Sequence, residues 1–97
     1  MDINILKNYG FNGNDIKVYQ SLLGLGRSKT GPIIRNSGIV SSRVYESLRI
    51  LISRGIVSYQ VKNNVKYYQV ESLEQIIDEA GKNIQNLKQF AKEIKNF

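Results

Sequence analysis

The fold is decided by residues 37–56, which read SGIVSSRVYESLRILISRGI. Val44, Leu48 and Leu51 recur at intervals of four and three residues, which predicts a helix over residues 41–54 with one buried face. A short apolar segment with a glycine precedes this helix and predicts a tight turn with positive φ. A second glycine follows the helix, in the position of a left-handed C-terminal stop.

Three helical signals lie before this stretch. Asp2 can cap a short helix that stops at Gly10. Asn12 and Asp15 have the spacing of a capping box, and an apolar stripe follows them, so a second helix is predicted from there to a glycine-rich end. The proline near the start of the next segment predicts a short third helix over residues 32–36.

After the helix at 41–54, the hydrophobic period changes from 3.6 to 2 residues. Alternation over residues 57–70, interrupted by Asn63-Asn64, predicts a two-stranded hairpin because asparagine tolerates the left-handed conformation. This turn pairs Tyr59 with Tyr68 and Val57 with Val70. A helix-turn-helix followed by such a hairpin predicts a winged helix, mainly α with a small β component.

A long amphipathic helix is predicted for the C-terminal part, opened by a capping box at Ser72-Leu73-Glu74-Gln75. Its apolar residues follow a heptad pattern, which is typical of coiled coils. The predicted dimerisation residues are Leu73, Ile77, Ala80, Ile84, Leu87, Phe90, Ala91 and Ile94. We expect the beginning of this stripe to pack on the chain's own first helix and the remainder to pair with a second copy. The chain thus divides into a winged-helix domain at 1–71 and a dimerisation helix at 72–97.

Charge is distributed unevenly along the 97 residues. The whole chain carries 14 Lys and Arg against 8 Asp and Glu, a net charge of +6. Residues 27–67 contain eight Lys and Arg and a single acid, Glu46, whereas residues 72–97 are charge-balanced. A basic segment of this kind favours a polyanionic partner, either nucleic acid or an anionic membrane. Because the basic residues lie on a helix-turn-helix and a hairpin rather than on one face of an amphipathic helix, double-stranded DNA is the predicted partner.

Cysteine and histidine are both absent, which excludes disulfides, cysteine-ligated metal sites and catalytic triads that use these residues. We therefore expect no enzyme, no cofactor and no metal. No apolar run reaches the ~20 residues that cross a bilayer, and no signal peptide opens the chain. A cytoplasmic protein without a membrane partner is expected.

The predicted DNA-reading residues lie at the start and on the outer face of the helix at 41–54. Ser41, Ser42 and Arg43 begin the helix, where backbone N–H groups favour a phosphate. Arg43 can bind guanine O6 and N7, and Arg49 lies on the same outer side. Glu46 can accept a hydrogen bond from cytosine or form an ion pair with a neighbouring arginine, and the ion pair is favoured.

The tip of the hairpin carries four residues that suit phosphate or groove contacts: Lys62, Asn63, Asn64 and Lys66. The alternative is that these lysines only discourage pairing of the strand edges. Thr30 can contact the DNA backbone or simply cap its helix. Tyr45 can reach a phosphate or form part of the rim of the core.

These segments resemble the DNA-binding domain of the TrmB family of archaeal transcriptional regulators. The resemblance covers residues 6–80 and rests on Tyr9-Gly10-Phe11, Ile16-Lys17-Val18-Tyr19, Leu22-Leu23, Leu25-Gly26, Ser37-Gly38-Ile39, Ser42-Arg43-Val44-Tyr45-Glu46, Leu48 and Arg54-Gly55-Ile56-Val57. It implies a dimeric, DNA-binding regulator whose helix at 41–54 enters the major groove. The predicted function is therefore a sequence-specific regulator of transcription. The alternative is a winged-helix adaptor that binds another protein, or a module that binds RNA.

Overall fold

Four helices, a 3₁₀ helix and one hairpin make up the chain in a computed structural model that describes residues 1–97. In chain order they are a 3₁₀ helix Ile3–Tyr9, α1 Gly13–Leu25, α2 Thr30–Ser37, α3 Ser41–Ser53, β1 Val57–Lys62, β2 Val65–Val70 and α4 Glu74–Ile94. The predicted winged helix, mainly α with a two-stranded hairpin, is confirmed. The molecule measures 58 × 25 × 25 Å.

The core lies where α1 packs against α2 and α3. Leu22 of α1, Ile33 of α2, and Leu48 and Leu51 of α3 are at most 1% exposed. Val44 completes the buried face of α3, as its spacing predicted. Because this face is fixed in the core, the opposite face of α3 is turned to solvent.

The N-terminal capping predictions are confirmed. The Asn12 side chain accepts a hydrogen bond from the Asp15 N–H at 2.8 Å, and Asp15 accepts one from the Asn12 N–H at 2.9 Å. Asp2 caps the first helix through the Asn4 N–H, although that helix is 3₁₀ rather than α. The beginning of α1 is thereby fixed beside the core.

Helix α2 is longer than predicted, because it begins two residues earlier at Thr30 and ends one residue later at Ser37. Its N-cap is Lys29, which makes no side-chain capping bond, so Thr30 does not cap the helix. Gly38 follows with φ +69°, as predicted for the tight turn into α3. The turn sets the direction in which α3 leaves α2.

The C-terminal end of α3 is a Schellman motif, as the sequence predicted. Gly55 has φ +78°, the Ile56 N–H donates to the Leu51 carbonyl at 3.1 Å, and the Gly55 N–H donates to the Ile52 carbonyl at 3.0 Å. The helix itself ends at Ser53, one residue earlier than predicted, and Arg54 is its C-cap.

The hairpin has the predicted register, with Val57 opposite Val70 and Tyr59 opposite Tyr68. Asn63 and Asn64 have φ +53° and +63°, the conformation that a two-residue type I′ turn requires. The sequence did not indicate that Ser28 would join the sheet. Its backbone exchanges two hydrogen bonds with Tyr68, at 2.9 and 2.7 Å, so the segment before α2 extends the hairpin by one short edge.

The predicted capping box at Ser72–Gln75 is wrong. The N-cap of α4 is Leu73, without a side-chain capping bond, and the helix begins at Glu74. The Gln75 side chain lies against Gly55 at the end of α3. Gln75 therefore helps to attach α4 to α3.

The predicted apolar stripe of α4 is largely exposed to solvent. Ile76, which is not part of the predicted stripe, is the one residue of α4 buried in the core. Leu73 and Ile77 at the beginning of the stripe are 38% and 56% exposed. Leu73 and Ile77 nevertheless line a groove with Leu6 and Tyr9 of the 3₁₀ helix, the helix on which the beginning of the stripe was expected to pack. Beyond Ala80 every residue of α4 is exposed.

Replacing Gly55 by alanine is expected to destabilise the fold by at least about 1–2 kcal/mol, because an L-residue at positive φ is strained. The new Cβ would also collide with the Gln75 side chain. Urea unfolding at fixed protein concentration measures the change. The matched control is Gly24→Ala, inside α1 with free space around it, which is expected to stabilise by roughly 0.5–1 kcal/mol. Equal effects of the two substitutions would contradict this account.

Candidate nucleic-acid interface

The outer face of α3 is polar and open to solvent. All six residues predicted to read DNA from this helix are exposed: Ser41, Ser42, Arg43, Tyr45, Glu46 and Arg49. The N-cap of α3, Val40, offers no side-chain hydrogen bond to the first N–H groups. The Arg43 and Val44 N–H groups both donate to the Val40 carbonyl, so those of Ser41 and Ser42 are free for an external acceptor.

Glu46 forms the ion pair that the sequence favoured. Its carboxylate lies 3.6 Å from the Arg43 guanidinium, and the two side chains are 49% and 62% exposed. A pair so open to water is worth about 0–1 kcal/mol. A phosphate or a base edge can therefore replace Glu46 as the partner of Arg43 at little cost.

A groove joins α3 to the hairpin. It has a volume of about 300 Å³ and is lined by Tyr45, Leu48, Arg49, Ile52, Tyr59, Lys66 and Tyr68. The structure thus brings Lys66 of the hairpin beside Tyr45 and Arg49 of α3. No carboxylate lies within 4.0 Å of Arg49 or Lys66. Both cations are available to a ligand that spans the helix and the hairpin.

The two lysines of the hairpin tip lie on opposite faces of the ribbon. Lys66 shares the face of Tyr59, and its ammonium lies 4.6 Å from the centre of the Tyr59 ring. Lys62 pairs with Val65 across the turn and belongs to the other face, as does Tyr67. Asn63 and Asn64 form the exposed tip between them.

The outer face of the hairpin, which looks away from α3, has cations that sequence reasoning missed. The Arg27 guanidinium lies 5.3 Å from the centre of the Tyr67 ring, and the Lys29 ammonium lies 5.7 Å from it. The sequence does contain a signal for this arrangement. Arg27 and Lys29 flank Ser28, and in an extended segment residues two apart point to the same side. The sequence did not predict that Ser28 pairs with Tyr68, so the extended conformation of this segment was not foreseen.

One carboxylate, that of Glu71, belongs to the base of the hairpin. The Ser58 hydroxyl donates a hydrogen bond to it, and the Gln69 amide donates another at 3.1 Å. These two donors lower the pKa of Glu71 below its ordinary value. Glu71 therefore stays negatively charged, and its two donors lie on the same face of the hairpin as Tyr67.

Thr30 stands apart from the groove. It is the first residue of α2, half-buried, and it does not line the space between α3 and the hairpin. Since Lys29 rather than Thr30 is the N-cap, the Thr30 hydroxyl does not cap α2.

Arg54, counted in the basic segment, serves the fold instead. Its guanidinium lies 3.4 Å from the Glu79 carboxylate and 4.6 Å from the centre of the Phe11 ring. The side chain is only 28% exposed. It therefore ties the end of α3 to α4 and to the segment before α1, and it is not available to a ligand.

The structure contains no group of three or more acidic, histidine or cysteine side chains suited to a metal ion. None of its helices has the length and apolar character needed to span a bilayer. The chemistry available on α3 and the hairpin is that of hydrogen bonding and positive charge, which suits a polyanion.

A family model described as sugar-specific transcriptional regulator TrmB matches residues 6–73. The chain belongs to the TrmB family. This confirms the resemblance found in the sequence, and the description of the family as a transcriptional regulator agrees with the predicted class of function. No curated protein matches this TrmB-family chain at a significant level.

Solved structures share the fold at low sequence identity. TrmBL2, described as an archaeal chromatin protein with a novel mode of DNA binding, superimposes with a TM-score of 0.79 at 19% identity, over 97% of this chain and 39% of TrmBL2. A possible transcriptional regulator from Methanosarcina mazei Go1 gives 0.70 at 22% identity, over 99% and 86%. Sso10a-2, a DNA-binding protein from Sulfolobus solfataricus, gives 0.54 at 18%, over 89% and 95%. This TrmB-family chain thus spans well under half of TrmBL2.

Arg49 and Arg54 are predicted to respond differently to the same substitution. Arg54→Gln removes an ion pair and a ring contact, so the free energy of unfolding is expected to fall by roughly 1 kcal/mol. Arg49→Gln removes an exposed side chain without a partner, so stability is expected to stay within about 0.5 kcal/mol of the parent. Urea denaturation of both variants measures this. A larger loss for Arg49 than for Arg54 would show that the roles are reversed.

Proposed function

We propose that this chain binds double-stranded DNA sequence-specifically as a homodimer, with α3 in the major groove and the hairpin on the flanking backbone or minor groove. The observation that carries the proposal is the continuous surface in which the outer face of α3 adjoins the basic hairpin across the groove at Tyr45, Arg49 and Lys66. The family membership supports the same class of function.

The shape of α3 suits the major groove. That groove is about 12 Å wide and admits one α-helix whose N-terminal residues face the base edges. Arg43 is exposed in the first turn and is held only by its weak pair with Glu46, so it can bind guanine O6 and N7. Arg49 lies two turns further along, beside the hairpin, where it suits a base or a phosphate.

The beginning of α3 supplies a phosphate contact in this proposal. The Ser41 and Ser42 N–H groups have no partner within the chain and point along the helix axis. The helix dipole adds partial positive charge at the same place. We assign Ser41 and Ser42 to the DNA backbone next to the bases that Arg43 reads.

The hairpin holds the flanking DNA. We assign Lys62, Asn63, Asn64 and Lys66 to its backbone and minor groove, because all four are exposed at the tip of the ribbon. Tyr45 is assigned to a phosphate beside the groove that it lines with Lys66. Thr30 is assigned to a phosphate as well, since its hydroxyl has no role in capping α2.

Pairing of two copies accounts for the exposed apolar stripe of α4. Ile77, Ile84, Leu87, Phe90 and Ile94 are 52–65% exposed. Large apolar side chains in one continuous row mark an interaction surface. Residues 72–97 are also charge-balanced, so this segment does not repel an identical one. The proposed interface comprises Leu73, Ile77, Ala80, Ile84, Leu87, Phe90, Ala91 and Ile94.

A groove between the 3₁₀ helix and α4 extends this stripe. Its volume is about 450 Å³ and its lining is almost entirely apolar: Ile5, Leu6, Tyr9, Leu73, Ile76, Ile77, Ala80, Gly81 and Ile84. Because the groove runs into the stripe at Ile84, one partner helix can cover both. A two-fold dimer also matches the two half-sites of a palindromic target.

In this proposal residues 1–71 contact DNA and residues 72–97 pair the two copies. The alternative, an adaptor that binds a different protein, is favoured by the same stripe on α4, but it gives no role to the cations on α3 and the hairpin. A cytoplasmic location in an archaeal cell is part of the proposal, and the archaeal neighbours support it.

In vitro selection from random duplexes is expected to yield a palindromic consensus. On the selected duplex, Arg43→Ala is expected to lose about 1–3 kcal/mol of discrimination against a scrambled duplex, because a bidentate base contact is removed. Lys62→Ala and Lys66→Ala are expected to weaken binding to both duplexes equally. Each is also expected to make the slope of log K against log salt less negative by about 0.9. Fluorescence anisotropy at several salt concentrations measures both effects.

The control for these variants is Lys17→Ala, an exposed lysine on α1 outside the proposed interface. It is expected to leave both affinities close to those of the parent. Equal losses on selected and scrambled DNA for Arg43→Ala would remove Arg43 from base reading. Absence of any duplex binding at low salt would overturn the proposed function.

Leu87→Asp is expected to convert the dimer into a monomer, because a carboxylate would be buried in the apolar interface. The matched control is Gln89→Asp, which introduces the same charge about 200° around the helix, at 100° per residue, on the side away from the stripe. Sedimentation equilibrium measures the oligomeric state. Dimers of equal stability for both variants would exclude the stripe as the interface.

A further inference from the structure

The outer face of the hairpin carries a cationic cluster that the proposed interface does not include. The cluster consists of Arg27, Lys29 and Tyr67. Both cations approach the same ring, at 5.3 and 5.7 Å from its centre. Both are exposed, and neither has a carboxylate within 4.0 Å. Two like charges on one aromatic ring, without an acidic neighbour, form a surface suited to an external anion.

The backbone fixes this arrangement. The two hydrogen bonds between Ser28 and Tyr68 hold the segment before α2 at the edge of β2. Ser28 and Tyr68 are turned inward, at 8% and 4% exposure. Their neighbours along the two strands are therefore turned outward together. The cluster is a consequence of strand pairing rather than of flexible lysines that happen to meet.

The cluster continues to the tip of the hairpin along the same face. Lys62 lies on this face by strand alternation, and Gln60 pairs with Tyr67. One acid, Glu71, lies at the base of this face, where Ser58 and Gln69 donate hydrogen bonds to it. The face thus carries three cations, Lys62, Arg27 and Lys29, against a single carboxylate. The opposite face of the ribbon has its own cation, Lys66, beside Tyr59.

We infer that the hairpin brackets the minor groove of the bound duplex, and that Arg27 and Lys29 bind phosphates of the strand on its outer side. This inference rests on the proposed function. The minor groove is about 6 Å wide, too narrow to admit a two-stranded ribbon with its side chains. The asparagine tip enters the groove, and each face of the ribbon meets one of the two backbones that border it. Lys66 contacts the strand nearer α3, and the cluster contacts the other.

The test compares the double variant Arg27→Gln/Lys29→Gln with a charge-matched control, Lys7→Gln/Lys17→Gln, on the 3₁₀ helix and α1. For the double variant, counterion release predicts that the slope of log K against log salt becomes less negative by about 1.8, because two phosphate contacts are lost. The affinity at 0.1 M salt is expected to fall about eightfold for each contact. The control is expected to retain both. Hydroxyl-radical footprinting of the double variant is expected to lose protection on one strand beyond the hairpin, while protection over α3 persists.

Three results separate the possible failures. Equal salt slopes for the double variant and the control, with the parent binding normally, would overturn this inference alone. Failure of the parent to bind any duplex would overturn both this inference and the proposed function. A further experiment offers a second, labelled duplex to an immobilised protein–DNA complex. If the double variant keeps the parent's footprint on the first duplex and only fails to capture the second, the cluster binds a second DNA molecule and the proposed contact beside the minor groove is overturned. The double variant is expected to lose at most about 1–2 kcal/mol of stability, because two exposed cation–ring contacts to Tyr67 are removed; melting curves show whether it is folded at the temperature of the binding assay.

Discussion

The burial of one side of α3 against α1 is the constraint on which the rest of the structure depends. With Val44, Leu48 and Leu51 almost entirely removed from water, the helix has no freedom to rotate about its axis. Core packing of this density penalises even small displacements. The orientation of Arg43 and Arg49 towards solvent is therefore set by apolar residues on the opposite side of the same helix.

The basic residues of the central segment separate into groups with different tasks. Arg54 is held between a carboxylate and an aromatic ring and joins three parts of the chain. Arg43 has a solvent-exposed partner that it can exchange, and Arg49 has none. Net charge alone did not distinguish these cases, since all three contribute equally to the +6 of the sequence. What distinguishes them is the distance to an acid and the degree of exposure.

Local signals in the sequence predicted most of the fold. The capping box at Asn12 and Asp15, the Schellman end at Gly55 and the register of Tyr59 with Tyr68 each depend on residues close in sequence or on strict alternation. The misses involve contacts between distant segments. The side chain of Gln75 lies against Gly55 instead of completing a cap, and Ile76, which lies outside the predicted stripe, enters the core. For the candidate site, the residues on α3 were placed by helical periodicity, whereas Arg27 and Lys29 required the Ser28–Tyr68 pairing to be seen.

The attachment of α4 has a mechanical consequence. The helix is fixed near its beginning by Ile76, Gln75 and Glu79, and all of its residues beyond Ala80 are exposed. Its 21 residues give it a length of about 31 Å. In the proposed dimer each winged helix is thus joined to the interface by α4, and it is attached to α4 only near the beginning of that helix. In that arrangement a rotation about the attachment point would be enlarged over the length of α4, so the spacing between the two α3 helices would vary with it.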